Sequence, residues 1–172
     1  AGALPDADGN VSFSLHAGAS LGQMRRAASD PDRLLVVEVS PHFPRTFGSG
    51  EHTHSIHVDD IDILIESDKE PVVTDDPTPS DVDRAIAEHV SAFVPDGATL
   101  QTGIGAVPSV VASLLAEGPG GGYGVHSEMF TTGLMRLHLA GKVTNQKGTY
   151  DGLSVSTFAA GTRELYDWLH EN

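Results

Sequence analysis

From residue 98 onward the chain repeats one pattern three times: a short apolar run, a glycine-bearing loop, then apolar residues at helical spacing. ATLQT (98–102) reads as a strand and Gly103–Val107 as a tight loop. PSVVASLLAEG (108–118) reads as a helix with Pro108 in its first turn and Gly118 past its end. YGVH (123–126) is a second strand, and MFTTGLMRLHLAG (129–141) a helix closed by Gly141. LSVSTFAA (153–160) and TRELYDWLHEN (162–172) complete a third unit. Successive βα units require a parallel, helix-covered sheet. Such sheets bind ligands at the carboxyl ends of their strands. The loops after Thr102, His126 and Ala160 share that edge. Gln101, the loop Gly103–Val107 and Glu128 are therefore expected to converge on one site.

The upstream part is less regular. VSFSL (11–15) alternates like a short strand, and ASLGQMRRAAS (19–29) reads as a helix. RLLVVEV (33–39) is continuous and β-branched, as for a strand buried on both faces. Pro41 and Pro44 open a long loop to about Ser55, and IDILIES (61–67) forms another strand. PVVTDDPTPSD (71–81) carries three prolines and several acids and reads as a linker. Its centre, 73–79, separates a region 1–72 from a region 80–172. Ser80 then serves as an N-cap, with Asp83 positioned as in a capping box. Val82, Ile86, His89, Val90 and Phe93 recur at helical spacing, and Asp96-Gly97 is a turn.

Composition excludes several classes of function. The chain has no cysteine, so disulfides, thiolate metal sites and a cysteine nucleophile are ruled out. A net charge of -14 argues against nucleic-acid binding through a broad basic surface. No apolar run approaches the roughly 20 residues of a membrane span. AGALPDADGN lacks the pattern of a signal peptide, and with no initiator Met it hints at sequence upstream. The expected setting is cytoplasmic.

Three constellations carry chemistry. QTGIGAVP (101–108) leads a strand through GxG into a helix, where backbone N–H groups meet a positive helix end. A dinucleotide fingerprint would need a third glycine where Pro108 stands. A tight turn without a ligand, and a Rossmann-like nucleotide-binding turn, both remain open on these residues. Glu128 reads either as an acid favoured by a helix N-terminus or as a strand-end carboxylate able to act as a covalent nucleophile. EHTHSIH offers His52, His54 and His57, but on a strand His57 faces away from the other two. That stretch reads as a polar loop, with no metal. His126 and Ser127 point to opposite faces and make no triad.

LQTGIGAVPSVV, GVHSEMFTTGLMRLHLAGKVTN and STFAAGTRELYDWL together resemble the acetyl-CoA hydrolase/transferase family. This class I CoA-transferase family includes the 4-hydroxybutyrate and acetate CoA-transferases. LLVVEVSPHFPRTFGSG, IHVDDIDILIES and DGATLQTGIG extend the resemblance upstream. It implies an α/β fold of the NagB/RpiA/CoA-transferase type. Residues 1–72 would be the later part of one domain and 80–172 the beginning of a second.

It also implies an acyl-CoA:carboxylate CoA-transferase, or an acyl-CoA hydrolase, working through a glutamyl-CoA thioester on Glu128. Gly103, Ile104, Gly105, Ala106 and Val107 would form the CoA-binding loop, with Gln101 beside it. Acyl-CoA and a small carboxylic acid would be substrates, with no tightly bound cofactor and no metal. GPGGGY (118–123) looks like an expanded version of a family loop. The family draws further CoA-binding glycines and an Asn from beyond this chain's last residue. The chain is therefore expected to be a fragment with weak or no turnover alone, and its exposed sheet edges invite association, a homodimer being one form. The alternatives are the nucleotide-binding module and a non-catalytic fragment.

Overall fold

A computed structural model describes residues 1–50 and 52–172. Contacts divide the chain into two compact units, one of Ala1–Val72 with Tyr166–Asn172, the other of Val73–Leu165.

In the first unit β1 (Asn10–Ser12) pairs antiparallel with β3 (Ser55–His57), and β2 (Val36–Val39) pairs parallel with β4 (Ile63–Glu66). Helix α1 (Leu21–Ser29) lays Leu21, Met24, Ala27 and Ala28 on a core of Val11, Phe13, Ala17, Leu35, Val39 and Ile56. Those four positions share one helical face, which is why the segment is helical. β2 departs from the expectation of burial on both faces. Val36 and its register partner Ile63 are 47% and 45% exposed, as is Ile65 at 46%. They form one face of the sheet, whereas Leu35 and Val39 enter the core from the other. Elsewhere Ser12 and Ser14 pin the loop after Pro41, their hydroxyls donating to Thr46 and Pro44 carbonyls at 2.7 and 2.6 Å.

In the second unit α2 (Asp81–Ser91) starts from the capping box that Ser80 and Asp83 suggest. Asp83 N–H donates to Ser80 Oγ at 3.2 Å, and Ser80 N–H to Asp83 Oδ2 at 2.8 Å. A three-stranded parallel sheet follows in the order β5 (Thr99–Leu100), β6 (Gly124–Phe130), β7 (Val155–Ala159). α3 (Ala106–Glu117) packs between α2 and α4 (Thr132–Leu139). A Cβ on Gly133 of α4 would lie 2.8 Å from Ala112 Cβ, so glycine sets the closeness of that crossing. Val125, Leu134, Met135, Leu137 and Leu165 are fully buried. α5 (Arg163–Glu171) follows β7, its first turn counted in this unit and its residues from Tyr166 in the first. Among the described residues no helix is long and apolar enough to cross a membrane.

The sequence reading needs a correction at the second strand of this unit. The second strand does not stop at His126, and its helix does not start at Met129. β6 continues to Phe130, and α4 begins at Thr132, capped by Thr131, whose Oγ1 accepts from Leu134 N–H. The polar triplet His126-Ser127-Glu128 interrupts the apolar run but keeps the period of two. Ser127 points inward and satisfies itself there, while His126 and Glu128 point out.

At the other end of the sheet, Asn145 Oδ1 accepts from Val125 N–H at 2.8 Å, and its Nδ2 donates to Ser154 Oγ at 3.0 Å. His138 Nε2 meets the same hydroxyl at 2.8 Å. Burial holds His138 below its usual value of 6.5. The unfolded chain therefore takes up this proton more readily, and the stability that neutral His138 protects is lost as pH falls below its ordinary value. Thermal unfolding followed between about pH 8 and about pH 5 should show a smaller loss of Tm for His138→Gln, which cannot titrate, than for the wild type.

Candidate functional site

The site is built from the ends of β5 and β6. Their register pairs Thr99 with Gly124 and Leu100 with Val125. Continued two residues, it sets Thr102 level with Ser127, and one further sets Gly103 level with Glu128. Neighbouring strands lie about 4.8 Å apart. By register alone, Gln101 falls level with His126, two positions before the pair formed by Gly103 and Glu128.

Side chains carry the pairing past the last backbone rung. Thr102 N–H donates to Ser127 Oγ at 3.2 Å, and the Ser127 hydroxyl donates back to the Thr102 carbonyl at 3.3 Å. Thr102 Oγ1 lies 3.1 Å from Thr131 Oγ1, the hydroxyl that caps α4. Ser127 is buried, at 4% exposure. A buried hydroxyl needs partners, and here it has both backbone groups of one residue. On the other side of β6, Thr162 N–H donates to Thr132 Oγ1 at 3.0 Å, and Ala160 N–H donates to the Phe130 carbonyl at 3.1 Å. The carboxyl ends of all three strands are thus tied to the β6–α4 junction by hydroxyls and main chain.

The loop after Thr102 then turns through Gly105, whose φ of 136° and ψ of 170° make it the N-cap of α3. That combination is essentially confined to glycine. From Gly103 to Val107, no backbone N–H has a hydrogen-bond partner among the described residues. Ala106 and Val107 belong to the first turn of α3, where unpaired donors and the helix dipole favour a negative charge. Ile104 projects outward at 83% exposure. The five residues expected to form a loop therefore divide into a true loop, Gly103–Gly105, and a helix start, Ala106–Val107.

Glu128 is exposed, on the open face of β6 with His126. It is a strand residue, not an acid in a helix's first turn, so the macrodipole account of its presence falls away. His126 makes an edge contact with the Tyr150 ring, with centroids 6.4 Å apart. Among the described residues no group of three or more His, Cys, Asp or Glu is placed to hold a metal. His54 Nε2 is 2.9 Å from the Ser14 carbonyl and His57 Nε2 is 3.0 Å from the Asp8 carbonyl. Glu51, at the head of that histidine stretch, lies outside the described residues.

The sequence reading placed Thr102 at a strand end and set Ser127 aside as a triad member, but gave neither of them, nor Thr131, a hydrogen-bonding role. The available signal was a serine at an inward position of an otherwise apolar strand, level with a threonine on the next.

No family model matches the chain. It is 37% identical over 169 residues to 4-hydroxybutyrate coenzyme A transferase of Clostridium kluyveri, covering 98% of this chain and 37% of that protein. It is 34% identical over 142 residues to butyryl-CoA:acetate CoA-transferase of Anaerostipes caccae, covering 80% of this chain and 31% of that protein. Its structure superposes with a TM-score of 0.85 on 4-hydroxybutyrate CoA-transferase from Porphyromonas gingivalis, at 28% identity, over 99% of this chain and 41% of that one. The chain is related in sequence and fold to the CoA-transferases. It spans 37% and 31% of the length of the two curated relatives named above, and its α/β, parallel-sheet architecture is that of the corresponding part of the solved transferase.

Gly105 gives a direct check on the loop. Gly105→Ala meets no steric obstacle, its nearest contact being Pro108 Cδ at 3.7 Å. It does force a β-carbon into a glycine-only backbone region, at a cost of roughly 1–3 kcal/mol. Chemical denaturation should show that loss, or a crystal structure of the variant should show a rebuilt turn.

Proposed function

We propose that the chain carries the nucleophile and the CoA-facing loop of an acyl-CoA:carboxylate CoA-transferase. The observation that supports this most is the register that, continued past its last pair, sets Glu128 level with Gly103, beside five backbone N–H groups unpaired among the described residues. The relatives' names supply the reaction class.

On this reading the Glu128 carboxylate attacks the thioester carbonyl of an acyl-CoA. The C–S bond breaks, CoA leaves as thiolate, and an acyl-glutamyl anhydride remains. The thiolate then attacks the glutamyl carbonyl and releases the first carboxylate, leaving a glutamyl-CoA thioester. A second carboxylate attacks that thioester, regenerating an anhydride and thiolate. Attack of the thiolate on the new acyl carbonyl gives the product and frees Glu128. Each carbonyl attack puts negative charge on an oxygen, and the N–H groups of Gly103–Val107 supply donors for it. Gln101 adds a side-chain amide at the same strand end. CoA enters as substrate, and the steps call on no other cofactor. Residues 1–72 and 80–172 are then parts of two domains joined at 73–79, acting in the cytoplasm on a CoA thioester and a small carboxylic acid.

A second reading rests on the exposure of Glu128: water in place of the acceptor acid makes the same site a hydrolase. The two share the covalent intermediate and differ in product.

Acyl-CoA followed by borohydride should reduce the glutamyl thioester in the full-length polypeptide, with the modification found on Glu128 by mass spectrometry. Glu128→Ala should lose at least about a hundredfold in kcat while folding normally. An unmodified Glu128 together with full activity of Glu128→Ala defeats the proposal. Product analysis with and without an acceptor carboxylate separates transferase from hydrolase.

A further inference from the structure

We infer that Ser127 is a positioning residue for the loop that faces Glu128, with Thr102 and Thr131 completing its action. The inference rests on the reading of Glu128 given above. Three observations carry it. Ser127 is buried in a strand whose other inward neighbours, Val125 and Met129, are apolar, so its hydroxyl is not there for solvent. That one hydroxyl takes both the N–H and the carbonyl of Thr102, the groups a continued β5–β6 ladder would have used. Both clamp residues sit next in sequence to a proposed site residue: Thr102 precedes Gly103, and Ser127 precedes Glu128.

The geometric consequence follows from the length of a side chain. A backbone rung would hold the strands at ladder spacing to their ends. A rung made through Cβ and Oγ holds Thr102 in register while releasing it from that spacing. The strands can then part where the loop must leave β5, and the parting occurs beside Glu128. Thr102 Oγ1, held by Thr131 Oγ1, fixes the rotation of the same residue about the strand. Thr131 in turn is fixed as the cap of α4. The height of the loop over the sheet edge is therefore set by three hydroxyls.

The test uses the full-length polypeptide and reads the rate at which acyl-CoA labels Glu128, alongside Tm and the KM for the acceptor carboxylate. A displacement of about 1 Å at a reacting pair costs up to about a hundredfold. Ser127→Ala should stay folded, slow labelling by about 10- to 100-fold and leave acceptor KM within about twofold. Thr102→Val should slow labelling in the same direction, and Thr102→Ser, which keeps the hydroxyl, should restore it. The Thr102 pair keeps the idea testable if Ser127→Ala does not fold. Wild-type labelling by a folded Ser127→Ala, or by Thr102→Val, overturns the inference. Glu128→Gln is the control. If it still turns over, the role of Glu128 fails and this inference fails with it; if it is dead while the clamp variants are normal, the clamp alone is wrong.

Discussion

The hydrogen-bond pair between Ser127 and Thr102 is the constraint on which the carboxyl-end edge of the second unit's sheet depends. It lets β6 run straight through a polar triplet, because the one polar side chain that faces inward is satisfied on the spot. With β6 extended to Phe130, Glu128 comes out on the open face, and α4 is delayed to Thr132. Without that satisfied hydroxyl, an inward serine would be a reason to end the strand early. The strand end, the helix cap at Thr131 and the start of the loop at Gly103 are consequences of one local solution.

The loop itself is held by a different device. Gly105 takes a backbone conformation other residues avoid, and this lets α3 begin at Ala106 with its first donors unpaired. A loop with free N–H groups is unfavourable in a buried place and acceptable at an exposed edge, where water or a ligand can meet them. Glu128 and this loop are therefore chemically complementary: one bears negative charge, and the other offers donors for the oxyanion that an attack by Glu128 would create.

Much of this was legible in the sequence. The three βα units, the capping box at Ser80 and Asp83, and the GxG turn all follow from local chemistry that tertiary structure leaves in place. Three features did not follow, one being the start of α3 at Ala106, inside the stretch read as a loop. The end of β6 was misplaced because apolar runs mark buried strands well, whereas an inward serine is visible as inward only once its partner on β5 is known. β2 read as buried on both faces because its residues are apolar. Val36 and Ile63 are instead exposed, a matter of which segments pack there and not of the strand's own composition. The candidate residues were readable from a family resemblance; the hydrogen-bonded hydroxyls next to them were not.

The central claim is that Gly103–Val107 and Glu128 belong to one CoA-facing site. Amide chemical shifts during a titration with CoA test it directly. The account predicts that the N–H signals of Gly103, Ile104, Gly105, Ala106 and Val107 move together with that of Glu128, along a single saturating curve. Shifts confined to other parts of the chain, with those six signals unmoved at saturation, would contradict it.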